Sequence, residues 1–175
     1  MLKKLFCAAA VAAFTVIPVS AQNSAGNTPG SPVNINNLPS AETTWHRGPG
    51  REWEVNFNDA IAKAKEQKKK VFMLSTGSDW CPPCRMLKSN VLSHAKFQRI
   101  AGKSFVFLWL DSPRRARLPQ DQLLHNHIVK QNFPFGNGVP SVIILDPVNQ
   151  KVLGKIGGYR PLNEYLEELG KYTAK

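Results

Sequence analysis

The stretch Val71-Phe72-Met73-Leu74-Ser75-Thr76-Gly77-Ser78-Asp79-Trp80-Cys81-Pro82-Pro83-Cys84 decides how the chain is read. Residues 71–76 are a short run of apolar and β-prone side chains, of a length that suits a buried strand better than a helix, and Gly77-Ser78 follows it directly. The two cysteines therefore lie just past a strand's end. Pro82 and Pro83 suit the first turn of a helix, where backbone N–H groups have no helical partner to lose, and they stiffen the geometry between the sulfurs. From Pro82 to about Ala101 the pattern predicts helix, with Cys84, Leu87 and Val91 on one face and Ser93-His94 as a kink or restart.

A Cys-x-x-Cys at a helix start has its own chemical logic. The first sulfur lies near unpaired backbone N–H groups, which stabilise its thiolate and lower its pKa. Cys81 is then the attacking sulfur, and Cys84, one turn further in and less exposed, resolves the mixed disulfide. The third cysteine, Cys7, falls in a leader: Lys3 and Lys4 precede an apolar run from Leu5 to Val19, and Val19-Ser20-Ala21 offers small residues for cleavage after Ala21. The run is shorter than the roughly 20 residues a membrane span needs, and Pro18 breaks it, so cleavage is expected rather than stable membrane insertion. That places the product in the periplasm or outside the cell and leaves Cys81 and Cys84 to pair in an oxidising compartment. A loop so short limits the unfolded chain by only about 2 kcal/mol, against about 4.7 for a hundred-residue loop, so chemistry explains the pair better than stapling does.

Outward from the motif, residues 22–43 are rich in Asn, Ser, Pro and Gly and read as a flexible polar tether, which leaves 44–175 as the ordered domain, its start marked by Trp45 and Trp53. Phe57, Ala60, Ile61 and Ala64 follow helical spacing, with Asn56 or Asn58 as cap and lysines at the far end. Ser104 to Leu110 reads as a second buried strand, followed by an Arg- and Pro-containing loop and a helix near Asp121 to Gln131. Strands at Ser141–Asp146 and Lys151–Ile156 are close enough to form an antiparallel hairpin. A final helix would bury Leu162, Tyr165, Leu166 and Leu169. The whole is α/β, with a mixed central sheet of about four strands flanked by helices.

Trp80-Cys81-Pro82-Pro83-Cys84 after a strand, with Gly138-Val139-Pro140-Ser141 before a later strand about sixty residues on, resembles the active site of the thioredoxin superfamily. The resemblance runs from Phe57 to Tyr172. Gly77-Ser78-Asp79-Trp80-Cys81 and Asp111-Ser112-Pro113-Arg114-Arg115 look like a group of secreted bacterial thioredoxin-like proteins. The likeness implies a thioredoxin-like fold and a cis Pro140 packed beside the cysteines. It further implies that the backbone of Val139 is free to pair with an extended substrate. Trp80 is read as shielding the sulfurs and touching the substrate, or as simply packing, and these roles are not exclusive. In one respect the chain departs from the pattern: six positions ahead of the first cysteine, where many thioredoxins carry a buried acid that assists proton transfer, stands Ser75. Asp79 or water would then serve as the proton relay, or proton transfer at Cys84 is slower than in thioredoxin itself; a loop or capping role is the ordinary reading of Asp79.

These residues point to a thiol-disulfide oxidoreductase acting on exported proteins that carry thiols or disulfides. Its redox-active disulfide would need no further cofactor, and it would be served by a separate redox partner. Two alternatives are a binding module of the same fold with a permanent disulfide, and a periplasmic copper-handling protein suggested by Met86 near Cys84. No metal site is expected: His125 and His127 are two apart and face different ways on a helix, and surface positions are anticipated for them and for His94. The chain is basic, with 23 Lys and Arg against 12 Asp and Glu, net +11, falling to +9 once Lys3 and Lys4 leave with the leader. Its charges are dispersed and no aromatic-basic motif surrounds them, which argues against nucleic acid as a partner.

Overall fold

The computed structural model describes residues 35, 38, 45, 46, 48–50 and 52–173. The expected leader, and the expected tether apart from Ile35 and Leu38, lie outside the described residues. Those two side chains pack against the domain.

Ten residues after Asn56 form the first helix because its side-chain oxygen accepts from the N–H groups of Asn58 and Asp59 while Phe57, Ala60, Ile61 and Ala64 bury one stripe. This is α1, Phe57–Glu66. It follows a two-residue strand, β1 (Trp53–Glu54), and precedes β2 (Lys70–Thr76). The motif opens α2 (Pro82–Leu87), and the helical path then widens into a π-turn at Lys88–Leu92, where Ser93 N–H donates to Lys88 O. His94 restarts it as the cap of α3 (Ala95–Ala101). There follow β3 (Phe105–Asp111), α4 (Gln120–Asn132), β4 (Ser141–Leu145), β5 (Val152–Gly157) and α5 (Leu162–Gly170).

The sheet is mixed, in the order β1-β3-β2-β4-β5, with β1, β3 and β2 parallel and β4 and β5 antiparallel. It has five strands where about four were expected, because β1 pairs with β3 through only Trp53 and Glu54, too few residues to show a period-2 pattern. Alternation along the central strands sorts side chains to the two faces. Phe72 and Leu74 of β2, Phe107 and Trp109 of β3, and Val142 and Ile144 of β4 join Leu87, Phe97 and Tyr165 in one cluster. Val71 and Met73, Leu108 and Leu110, and Ile143 and Leu145 join Phe57, Ala64 and Val129 in the other. On α5, Tyr165 and Leu169 are fully buried, while Leu162 and Leu166 are only partly so.

Trp45 docks on α4: its Nε1 donates to Asp121 Oδ2 at 2.6 Å, and its ring lies 5.0 Å from that of His125. His125 corrects the expectation of surface histidines, being wholly buried. Its Nε2 accepts from Phe57 N–H at 3.0 Å, which leaves Nδ1 as the donor to Asn126 Oδ1 at 2.9 Å. Burial lowers its pKa and favours the neutral ring this pairing needs. His94 and His127 are exposed.

Candidate functional site

Two parallel strands, β2 and β3, end side by side, with Thr76 opposite Asp111, and the segments leaving them meet beside the cysteines. Gly77 is the first requirement. A Cβ there would come within 2.4 Å of the Trp80 indole, so only glycine lets the tryptophan fold back over the strand end. Trp80 Nε1 donates to Ser112 O at 2.8 Å, and the Arg114 guanidinium stacks 4.0 Å above its ring.

Asp111 and Asp79 bind the two segments together. The buried Asp111 carboxylate accepts from Ser78 N–H at 3.0 Å, from Ser78 Oγ at 2.5 Å and from Ser112 N–H at 2.9 Å. Asn126 Nδ2 donates to its backbone oxygen at 3.0 Å, and Lys130 Nζ donates to Ser112 Oγ. Lys130 is half-buried; desolvation pulls its ammonium down to about 8, with Asp111 opposing. Asp79 reaches the other way and accepts from the N–H groups of Arg114, Arg115 and Ala116 at 2.9, 2.6 and 3.0 Å. Those bonds, that from Arg114 foremost, hold its pKa down at about 2. A carboxylate so acidic is a weak proton acceptor, and its oxygens are turned to the 114–116 loop, as the ordinary reading of a loop residue has it. Ser75 is buried in β2 between Leu110 and Ser141.

Cys81 and Cys84 are joined as a disulfide, their Cα atoms 5.2 Å apart. Cys81 is the N-cap of α2, and Cys84 N–H donates to its Sγ at 3.2 Å. The expected group of unpaired N–H donors shrinks here to one shared donor, because Pro82 and Pro83 carry no amide hydrogen, Arg85 N–H is spent on Cys81 O at 3.1 Å, and Cys84 N–H divides itself between Cys81 Sγ and Cys81 O, also at 3.1 Å. On the sulfur's other side lies Val139 O at 3.5 Å, and the Val139–Pro140 bond is cis. Gly158 N–H fixes Pro140 O at 2.9 Å. Beside them runs a groove of about 300 Å³ bordered by Gly136, Val139, Pro140, Lys155 and Gly158. Cys84 was expected to be the less exposed cysteine, yet each is 3% exposed, since the segment around Val139 closes over Cys81.

The structure thus brings Trp80, Cys81, Cys84, Val139 and Pro140 into one place and turns Asp79 toward a neighbouring loop. Sequence reasoning missed Gly77, Ser78, Asp111 and Lys130 as its supports. A signal existed for Asp111, the lone acid closing the apolar run Phe105-Val106-Phe107-Leu108-Trp109-Leu110. Among the described residues no group of three or more His, Cys, Asp or Glu side chains could hold a metal ion, and no helix is long and apolar enough to cross a membrane. A dithiol at this position can exchange with a disulfide presented along the groove, with Cys84 N–H stabilising the Cys81 thiolate.

Comparison with known proteins agrees with this geometry. The model of a family described as thioredoxin-like matches residues 52–147. The disulfide bond reductase DsbH of Chlamydia pneumoniae is 26% identical over 106 residues, covering 61% of this chain and 62% of that protein. Thioredoxin-related protein DsbJ of the same organism is 26% identical over 108 residues, covering 61% of this chain and 30% of its own length. The chain therefore spans less than two thirds of either relative. A solved structure of a DsbH oxidoreductase superposes with a TM-score of 0.63 at 23% identity, covering 77% of this chain and 91% of that one, a likeness of fold.

Proposed function

The chain belongs to the thioredoxin-like family, and on that premise we propose that it is a thiol-disulfide oxidoreductase that reduces disulfides in exported proteins through Cys81 and Cys84. The observation that carries the reading is the position of Cys81 Sγ, between the single N–H of Cys84 at 3.2 Å and the carbonyl of Val139 at 3.5 Å. One N–H lowers the thiolate's energy modestly. That modesty supports the reductive direction, since a strongly stabilised dithiol form is what makes such a pair an oxidant. It accords with the naming of the DsbH relative as a reductase.

In the dithiol form, the Cys81 thiolate attacks one sulfur of a substrate disulfide. A Cys81–substrate bond forms and the substrate's other sulfur leaves as a thiolate. Cys84 then loses its proton and attacks the Cys81 sulfur, which closes the Cys81–Cys84 bond and releases the second substrate thiolate. Two electrons and two protons pass to the substrate, and an external dithiol partner restores the pair; no other cofactor takes part. Ser75 is no base and Asp79 is too acidic, so the Cys84 proton goes to water or to the departing thiolate. Trp80 shields the sulfurs, and the backbone of Val139 pairs with the extended substrate. A leader over residues 1–21, cleaved after Ala21, delivers the domain of residues 44–175 to the periplasm or the medium on the tether of residues 22–43. The mass of the exported chain checks that cleavage.

The burial of both sulfurs favours a second reading, a binding module with a permanent disulfide. Insulin reduction with dithiothreitol as donor separates the two. The enzyme accelerates it, and Cys81→Ser or Cys84→Ser returns the rate to background; a binding module gives background with all three proteins.

A further inference from the structure

Building on that redox reading, we propose that the site selects disulfides carried on acidic polypeptide segments. Four segments are joined, directly or through one another, to the Cys81 sulfur. Residues 77–87 contain it, and residues 112–118 are bound to them through Asp79 and Trp80. Residues 136–140 bring Val139 O to 3.5 Å, and residues 155–160 are joined to these by Gly158 N–H on Pro140 O.

Their charged side chains are Arg85, Arg114, Arg115, Arg117, Lys155 and Arg160 against Asp79 alone. That is six to one, where the chain as a whole has 23 to 12, so the excess belongs to this place and not merely to a basic protein. Asp111, next along the chain, is buried and occupied by Ser78 and Ser112. The remaining acid, half-buried Asp79, is ringed by three backbone N–H groups, which blunt its field toward an approaching chain.

The cations stand on both banks. Arg114 is fixed over Trp80 next to Cys81, and Arg85 Nη1 donates to Asp79 O at 3.3 Å. Across the sulfur, Lys155 borders the groove that holds Val139 and Pro140, and Arg160 Nη1 donates to Gly157 O at 2.9 Å. Arg85, Arg114, Arg115, Arg117 and Lys155 are exposed. An extended peptide laid along Val139 would have a cation on either side of its disulfide. Acidic flanks gain from both, and lysine-rich flanks are repelled by both. Nucleic acid fits the charge but carries no sulfur to exchange and no strand backbone for the Val139 carbonyl.

The test uses the full chain, a dithiol donor and three substrates: two disulfide peptides of one length, one flanked by glutamates and one by lysines, and the neutral bis(2-hydroxyethyl) disulfide. At low ionic strength the acidic peptide should show a kcat/KM about 10- to 100-fold above the basic one. At about 0.5 M salt, where screening is near complete beyond a few ångströms, the ratio should fall to about twofold. Arg115→Glu with Arg117→Glu should cut the low-salt ratio at least about fivefold, the ratio itself correcting for any general loss. Equal rates on the two peptides, with the neutral disulfide turned over, would overturn the charge selection and leave the redox reading intact. A preference indifferent to salt and to the two arginines would also overturn it. No turnover of any of the three substrates would remove the redox reading and this inference with it.

Discussion

On one side of Cys81 the loop of residues 111–116 is tied to the motif by side chains: Asp111 on Ser78, Trp80 on Ser112, and Asp79 on three successive amides. On the other, Val139 meets the sulfur with only its carbonyl, at 3.5 Å. The first wall is held by bonds between segments more than thirty positions apart, and it fixes where the sulfur sits. The second keeps a backbone group at the mouth of a groove, able to exchange the sulfur for a substrate strand. A redox site needs both, a rigid seat for the reacting atom and an uncommitted edge for its partner.

The contrast should be most visible in stability. Asp111→Ala leaves the N–H and the hydroxyl of Ser78 without their buried acceptor, while Ser112 N–H keeps Thr76 O at 2.9 Å, and is expected to cost about 2 kcal/mol, read from the denaturant midpoint. A loss below about 0.5 kcal/mol would mean the wall is not held there.

Acid should loosen the same wall through α4, which carries Asn126 and Lys130. His125 is buried and neutral, with a native pKa below its unfolded value of 6.5. The unfolded chain therefore binds the extra proton first. Unfolding free energy is unaffected above about pH 6.5 and falls below it by up to about 1.4 kcal/mol per pH unit until the native pKa is reached. His125→Gln should flatten that limb; an identical slope in the variant would place the sensitivity elsewhere.

Asp79→Asn should act more locally. Amide exchange at Arg114, Arg115 and Ala116 should quicken while the pH profile of disulfide exchange stays put, since a carboxylate with a pKa of about 2 does not titrate in the working range. A displaced pH profile would restore Asp79 as the proton relay. Smallest of all, Val139→Ala should change insulin reduction by less than about twofold, because the open wall works through backbone. A large loss there would show that the side chain matters.

What could be read from the sequence follows from the range over which each cause acts. The α1 stripe, β2, the start of α2, and the β4–β5 hairpin are written in spacings of two to four residues and in glycine and proline punctuation, and they were legible. That the segment holding cis Pro140 lies beside the cysteines is what the resemblance of the paired motifs implied. By contrast, β1 was invisible because two residues carry no period. Asp79 was ambiguous because its partners lie 35 to 37 positions away, and nothing near Asp79 specifies them. The equal burial of the two cysteines escaped for the same reason, the covering atom being 58 residues downstream. His125 looked like a surface residue until Phe57 N–H and Asn126 supplied partners for both ring nitrogens.

The central claim is that one N–H, from Cys84, makes the Cys81 thiol moderately acidic and first to react. Alkylation of the reduced protein across pH, with each cysteine followed by mass spectrometry, tests it directly. Cys81 should be labelled before Cys84, with a midpoint below that of the ordinary thiol at about 8.5. Labelling of Cys84 first, or a Cys81 midpoint at or above about 8.5, would contradict the nucleophile; a midpoint below about 5 would contradict the reductive direction.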